Sequence, residues 1–171
     1  VTAVVAMMPP AWENDKTLSP SVRAMYEYFS LYEEKNDGPA ALVFSDGVRV
    51  GAKLDRMGLR PLRSVETEEY LAVTSEAGQI DFPPNEVISR GRIESGGILY
   101  YDLSQGKSYN TKAVNERIAK SQDYEKMLRK RSIHIDDLPE FPIQDLDETH
   151  EFSVEQRHVA YSMNQESFRL L

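Results

Sequence analysis

The stretch from Ala40 to Leu54 constrains this chain most. Ala40 to Phe44 is continuously apolar, as in a strand buried on both faces, and Asp46-Gly47 is a two-residue turn signal. Val48, Val50, Ala52 and Leu54 then alternate with Arg49, Gly51 and Lys53, which is the pattern of a strand with one face toward a core. Two apolar runs joined by Asp-Gly predict a β-hairpin.

More strands are expected at Leu62 to Val65, Tyr70 to Thr74 and Ile98 to Leu103, the last bounded by Gly96-Gly97 and Ser104-Gln-Gly106. Helical signals lie on both sides of these. Ser19-Pro20 places an N-cap before a proline at the first helical position, and Val22, Met25, Tyr26, Phe29 and Tyr32 follow at helical spacing until Asn36-Asp-Gly-Pro39. Asn110-Thr111 caps a helix over about Ala113 to Lys120, and a basic helix is expected over Asp123 to Arg131. Beyond Ile133 the acidic, proline-broken Asp136-Asp-Leu-Pro-Glu-Phe-Pro142 reads as a connector, and Ser153-Val-Glu-Gln156 is a capping box. A module boundary is expected near residue 135. The first eight residues, Val1 to Met8, read as the last turns of a buried element, and Phe168 to Leu171 stops on apolar residues without a cap. Both ends are expected to be interior to a longer polypeptide, and the isolated chain to be only marginally stable.

A formal net charge of −8 opposes binding to nucleic acid. No window approaches the roughly 20 apolar residues that cross a bilayer, so no membrane partner is expected. Zero cysteines exclude disulfides, thiolate metal sites and thiol catalysis within these residues.

Two loops carry charges that no hydrophobic pattern requires. In Asp55-Arg-Met-Gly-Leu-Arg-Pro-Leu62, Gly58 suits a turn with positive φ, Pro61 fixes its exit, and Asp55 and Arg60 are close enough in sequence to pair. The simpler reading is a β-turn with an exposed ion pair, and the sharper one a pocket loop offering Arg60 to a carboxylate. In Thr74-Ser-Glu-Ala-Gly78, Ser75 and Glu76 either satisfy local backbone groups or join the first loop along one edge of a site. His134, His150 and His158 have no metal-ligand spacing and read as surface or packing residues. Gly91 and Gly96-Gly97 form no phosphate-binding fingerprint, and Lys126 to Arg131 reads as a solvated helix face.

The chain resembles the large subunit of the glutamate synthases. The similarity runs through Met7 to Asp15, Arg23 to Tyr28, Asp37 to Ala41, Phe44 to Gly47, Leu54 to Pro61, Thr74 to Gly78 and Gly91-Arg92 before Gly96. It resumes in Glu155 to Tyr161 and Asn164 to Leu171, which are similar to the start of the family's central domain. Met57 departs from the family, which usually has Asn there.

The resemblance implies an α+β fold of the N-terminal-nucleophile hydrolase type, in which stacked antiparallel β-sheets lie between helices, incomplete in this chain. It divides the chain into residues 1–135, the later part of a class II glutamine amidotransferase domain, and residues 136–171, a connector and first helices toward the central domain. In such enzymes a terminal cysteine attacks the glutamine amide, and the released ammonia aminates 2-oxoglutarate with the help of FMN and an iron–sulfur cluster. The nucleophile, the glutamine-binding arginine, the Asn-Gly oxyanion pair and the Asp-Ser motif would all precede Val1. No catalytic, cofactor or metal residue is therefore expected here, and Asp55, Gly58, Arg60, Ser75 and Glu76 are the motif residues expected near the glutamine pocket. The implied partners are the remainder of the polypeptide, namely the upstream nucleophile half and the downstream central and synthase domains, and the implied compartment is the cytoplasm or a plastid stroma. The alternative is an amidotransferase-like structural or interaction module without chemistry.

Overall fold

The computed structural model describes residues 1–36, 38–140 and 152–164 and divides into two compact units, Val1–Ser132 and Ile133–Leu171. The first unit opens with α1 (Thr2–Met7) and α2 (Pro20–Ser30), and continues with β1 (Ala41–Ser45), β2 (Arg49–Leu54), β3 (Arg63–Thr67), β4 (Leu71–Thr74), β5 (Val87–Arg92), β6 (Ile98–Asp102) and β7 (Lys107–Tyr109). It closes with α3 (Thr111–Ala119) and α4 (Tyr124–Arg131).

The strands form two antiparallel sheets, one in the order β1-β2-β6-β7 and one in the order β4-β3-β5. On one side of the four-stranded sheet, Phe44, Ile98, Tyr100 and Tyr109 pack with Met25, Tyr26, Val114 and Leu128 of the helices. On the other side, Ala52, Leu54 and Leu99 meet Val73 of the three-stranded sheet and Leu62 and Ile93, which flank its β3 and β5. The layering is helix, sheet, sheet, so the α+β class and the stacked antiparallel sheets are as the family resemblance implies.

Local chemistry explains the helix starts. Ser19 accepts from the Val22 amide, Asn110 from Ala113 and Asp123 from Lys126, each filling one orphan donor of a first turn. The segment from Met7 to Asp15 is held against α2, where Arg23 donates to the carbonyls of Glu13 and Asp15 and Trp12 stacks on Tyr26. In the second unit, a 3₁₀ turn spans Ile135–Asp137, and α5 (Val154–Ala160) has the full capping box at Ser153 and Gln156. His150, most of Asn164 to Leu171 and the last residues of the connector lie outside the described residues, as does Asp37.

Several expectations need correction. The apolar run of β1 is not buried on both faces, since Val43 is 67% exposed. Among the described residues β1 is an edge strand, paired with β2 alone, and a short apolar run does not reveal whether a second neighbour exists. Alternation also fails in β2, where Lys53 is buried beside Ala52 and Leu54 while Val50 is exposed. The end of β2 lies between the helix layer and the second sheet, so neither of its faces is solvated. The expected α2 boundary was late, for the helix stops at Ser30. β5 and β7 went unpredicted: β5 carries Arg90 and Arg92 about Gly91, and β7 has only three residues.

Candidate functional site

β2 runs into the loop from Asp55 to Pro61, where Asp55 is 2% exposed. Its Oδ1 accepts from the Ala40 amide at 3.2 Å, and its Oδ2 from the amides of Met57 at 2.9 Å and Gly58 at 3.3 Å. Its own main chain reaches further, with its N–H donating to Ala40 and its carbonyl accepting from Gly96 at 2.7 Å. One residue thus joins three separate stretches of chain. The carboxylate is satisfied by backbone amides rather than by Arg60, which is exposed and makes no ion pair with Asp55 among the described residues. The expected Asp55–Arg60 pair is therefore not formed: three amides converge on the buried carboxylate, while Arg60 lies beyond the turn.

Gly58 has the positive φ that the turn requires, at 62°. A Cβ there would lie 2.8 Å from the Ser95 Cα, so the turn is closed by backbone as well as by conformation. Ser95 in turn donates its hydroxyl to the Met57 carbonyl at 3.3 Å. Gly96 repeats the arrangement at φ 67°, with Pro10 Cα 2.8 Å from where its Cβ would be. Met57, where the family usually has Asn, is exposed and contributes its backbone to the turn.

Lys53 is the residue that sequence reasoning missed. It is 1% exposed and donates from Nζ to the Gly96 carbonyl at 2.7 Å, fastening the 94–97 turn to the end of β2. Burial lowers its pKa to about 8, and the nearby negative charge of Asp55 opposes that shift. The only available signal was its place between Ala52 and Leu54, which alternation assigned to a solvated face.

The second motif loop is simpler. The Thr74 hydroxyl donates to the Glu76 carbonyl at 2.8 Å, and the Ser75 hydroxyl accepts from Gln79 at 3.0 Å, with Ser75 and Glu76 both exposed. Register brings the two loops to one end of the three-stranded sheet, because Arg63, just after the first loop, pairs with Thr74, just before the second, and with Arg92 on β5. Asp55 and Gly58 are therefore built into a buried knot, whereas Arg60, Ser75 and Glu76 are exposed around the same sheet end.

Other sequence candidates sort plainly. His134 Nδ1 lies 3.2 Å from Asp136 in an exposed pair, and no group of three or more metal-ligating side chains occurs among the described residues. In α4, Tyr124 and Leu128 face inward while Lys126, Arg129 and Lys130 are solvated, and Arg131 donates to the Tyr32 hydroxyl at 2.8 Å. No described helix is long and apolar enough to cross a membrane.

Stacked antiparallel sheets under a helix layer, with a glycine-closed Asp-Arg-x-Gly-x-Arg-Pro loop at the sheet end, are consistent with part of an amidotransferase domain of the N-terminal-nucleophile hydrolase type. The model of the class-II glutamine amidotransferases matches residues 1–127, and the chain belongs to that family. Its relatives include the glutamate synthase [NADPH] large chain of Bacillus subtilis, 36% identical over 78% of this chain and 9% of that one. Others are glutamate synthase [NADH] of Schizosaccharomyces pombe, 34% identical over 80% of this chain and 6% of that one, and a ferredoxin-dependent glutamate synthase of Arabidopsis thaliana, 38% identical over 76% and 8%. The chain spans less than a tenth of the length of each.

Proposed function

We propose that residues 1–135 serve as the non-nucleophilic part of the glutaminase domain of a glutamate synthase, and residues 136–171 as the connector into the central domain. The observation that carries this is the family match through residue 127, with relatives that are glutamate synthase large chains. The division into compact units after Ser132 supports the boundary. In the proposed reaction glutamine is hydrolysed to glutamate and ammonia, and the ammonia aminates 2-oxoglutarate. This chain has no cysteine, so the attacking thiolate comes from elsewhere in the domain. The role of the present residues is to shape the far edge of the glutamine pocket. Asp55 and Gly58 hold the loop rigid, and Arg60, Ser75 and Glu76 are the exposed groups turned to that edge, with Arg60 suited to a carboxylate.

An iron–sulfur cluster needs thiolate ligands that this chain does not contain. In this reading the cluster and FMN belong to other domains of a cytoplasmic or plastid-stromal enzyme, and no step is assigned to them here.

The test is a chimera in which residues 1–127 replace the matching stretch of the Bacillus subtilis glutamate synthase large chain. Glutamine-dependent glutamate formation is expected to stay within about tenfold of the parent, a change of roughly 1.4 kcal/mol in the barrier. A chimera that folds and uses free ammonia but not glutamine overturns the proposal. The 171-residue chain alone is expected to release no ammonia from glutamine above a heat-killed control.

A further inference from the structure

The three-stranded sheet has an outer face that the proposed function does not use. Residues paired across neighbouring strands share a face. Arg63 on β3 pairs with Arg92 on β5, and Val65 pairs with Arg90, so three arginines stand on one side of the sheet. On β4, Thr74 and Ala72 complete that side. The inner side carries Ser64 and Val73, toward the packed Leu62 and Ile93.

Like charges directly opposite one another in a sheet are unfavourable, and no acidic side chain among the described residues is paired with them. Among the described residues, Arg63, Arg90 and Arg92 form no ion pair, although the chain as a whole carries a net charge of −8. Asp81, the acid within the loop above this face, is paired with none of them. That loop rises from Ala77 to Phe82 and encloses a cavity of ≈ 80 Å³ against the sheet. Arg63, Arg90 and Thr74 supply its polar wall, while Val65, Ile80 and Phe82 supply its apolar one.

We infer that this cavity is a binding site for a short aliphatic carboxylate, its anionic head on Arg63 and Arg90 and its body on Val65, Ile80 and Phe82. A guanidinium fork matches a carboxylate with two parallel hydrogen bonds, and Arg92 adds charge across the sheet. The apolar wall distinguishes the site from one for inorganic anions, because it rewards a hydrocarbon body that phosphate or sulfate lacks. A cavity of this size suits a body of a few carbons.

The 171-residue chain is titrated with sodium butanoate, sodium sulfate and sodium chloride at matched ionic strength, with amide chemical shifts as the readout. Butanoate is expected to give saturable shifts confined to residues around Arg63, Thr74, Gly78 and Arg90. In R63Q or R90Q the affinity is expected to fall by about tenfold, the loss of one charge-assisted hydrogen bond. Each variant's dispersed amide spectrum shows that it is folded, and R63K, which keeps the charge and loses the fork, is expected to bind at an intermediate level. Equal shifts with chloride would reduce the effect to charge screening and overturn the site. Sulfate binding as tight as butanoate, or undiminished binding in both glutamine variants, overturns it as well.

Discussion

The two ends of the first motif loop meet opposite treatments of charge. On the side of the four-stranded sheet, Asp55 and Lys53 are buried, and their polar atoms are engaged by backbone at Ala40, Met57, Gly58 and Gly96. On the side of the three-stranded sheet, Arg63, Arg90 and Arg92 crowd an open face with no internal partner among the described residues. Charge that is satisfied by the chain's own backbone fixes conformation, whereas charge left facing outward is available to something else. The first region should be intolerant of substitution and the second tolerant.

The largest expected effect is at Asp55. In D55A the amides of Ala40 and Met57 lose their carboxylate acceptor in a part-buried site, and each donor left without a partner costs about 1–3 kcal/mol. A loss of roughly 3 kcal/mol or more is expected in urea unfolding followed by the fluorescence of Trp12, the single tryptophan. R60A, in the same loop, should stay within about 0.5 kcal/mol because its side chain is exposed. Equal costs for the two would erase the contrast.

Lys53 gives a smaller effect with a distinctive pH signature. Its folded pKa of about 8 lies below the ordinary lysine value, so the unfolded chain binds the proton more tightly. Burying the charged amine therefore costs stability below pH 8, and the cost is relieved as pH rises from about 8 toward 10.5. The gain over that window is at most roughly 3 kcal/mol, at 1.36 kcal/mol per pKa unit. Urea midpoints of the parent should rise across it relative to those of K53M, which has no amine to titrate. Parallel pH profiles would show that Lys53 carries no such penalty.

Much of this was legible in the sequence, and the gaps have physical causes. Helix starts at Ser19, Asn110, Asp123 and Ser153 could be read because a cap is a local interaction. Gly58 could be read as well, since its positive φ belongs to the turn itself. What could not be read depends on neighbours distant in sequence. The exposure of β1 follows from its place at a sheet edge, and the burial of Lys53 from two layers that close over β2 from opposite sides. Asp55 was marked as a motif residue, but its expected partner was the nearby Arg60, when the acceptor it provides is taken up in part by Ala40. The arginine face went unseen because Arg63 and Arg92 become neighbours only through the register of β3 with the unpredicted β5.

The smallest expected effect has the opposite sign. In R92Q the direct opposition to Arg63 across β3 and β5 is removed, and no ion pair is lost among the described residues. Cross-strand pairs are worth roughly 0.2–1 kcal/mol, so stability should rise by about 0.5 kcal/mol at low salt. Because the repulsion is between exposed groups, the gain should disappear at about 1 M salt, where the screening length falls to about 3 Å. The same substitution should weaken butanoate binding, so stability and affinity move in opposite directions at one residue. An R92Q chain less stable than its parent at low salt would mean that Arg92 is held by favourable contacts, and the distinction between the buried knot and the open face would not extend to β5.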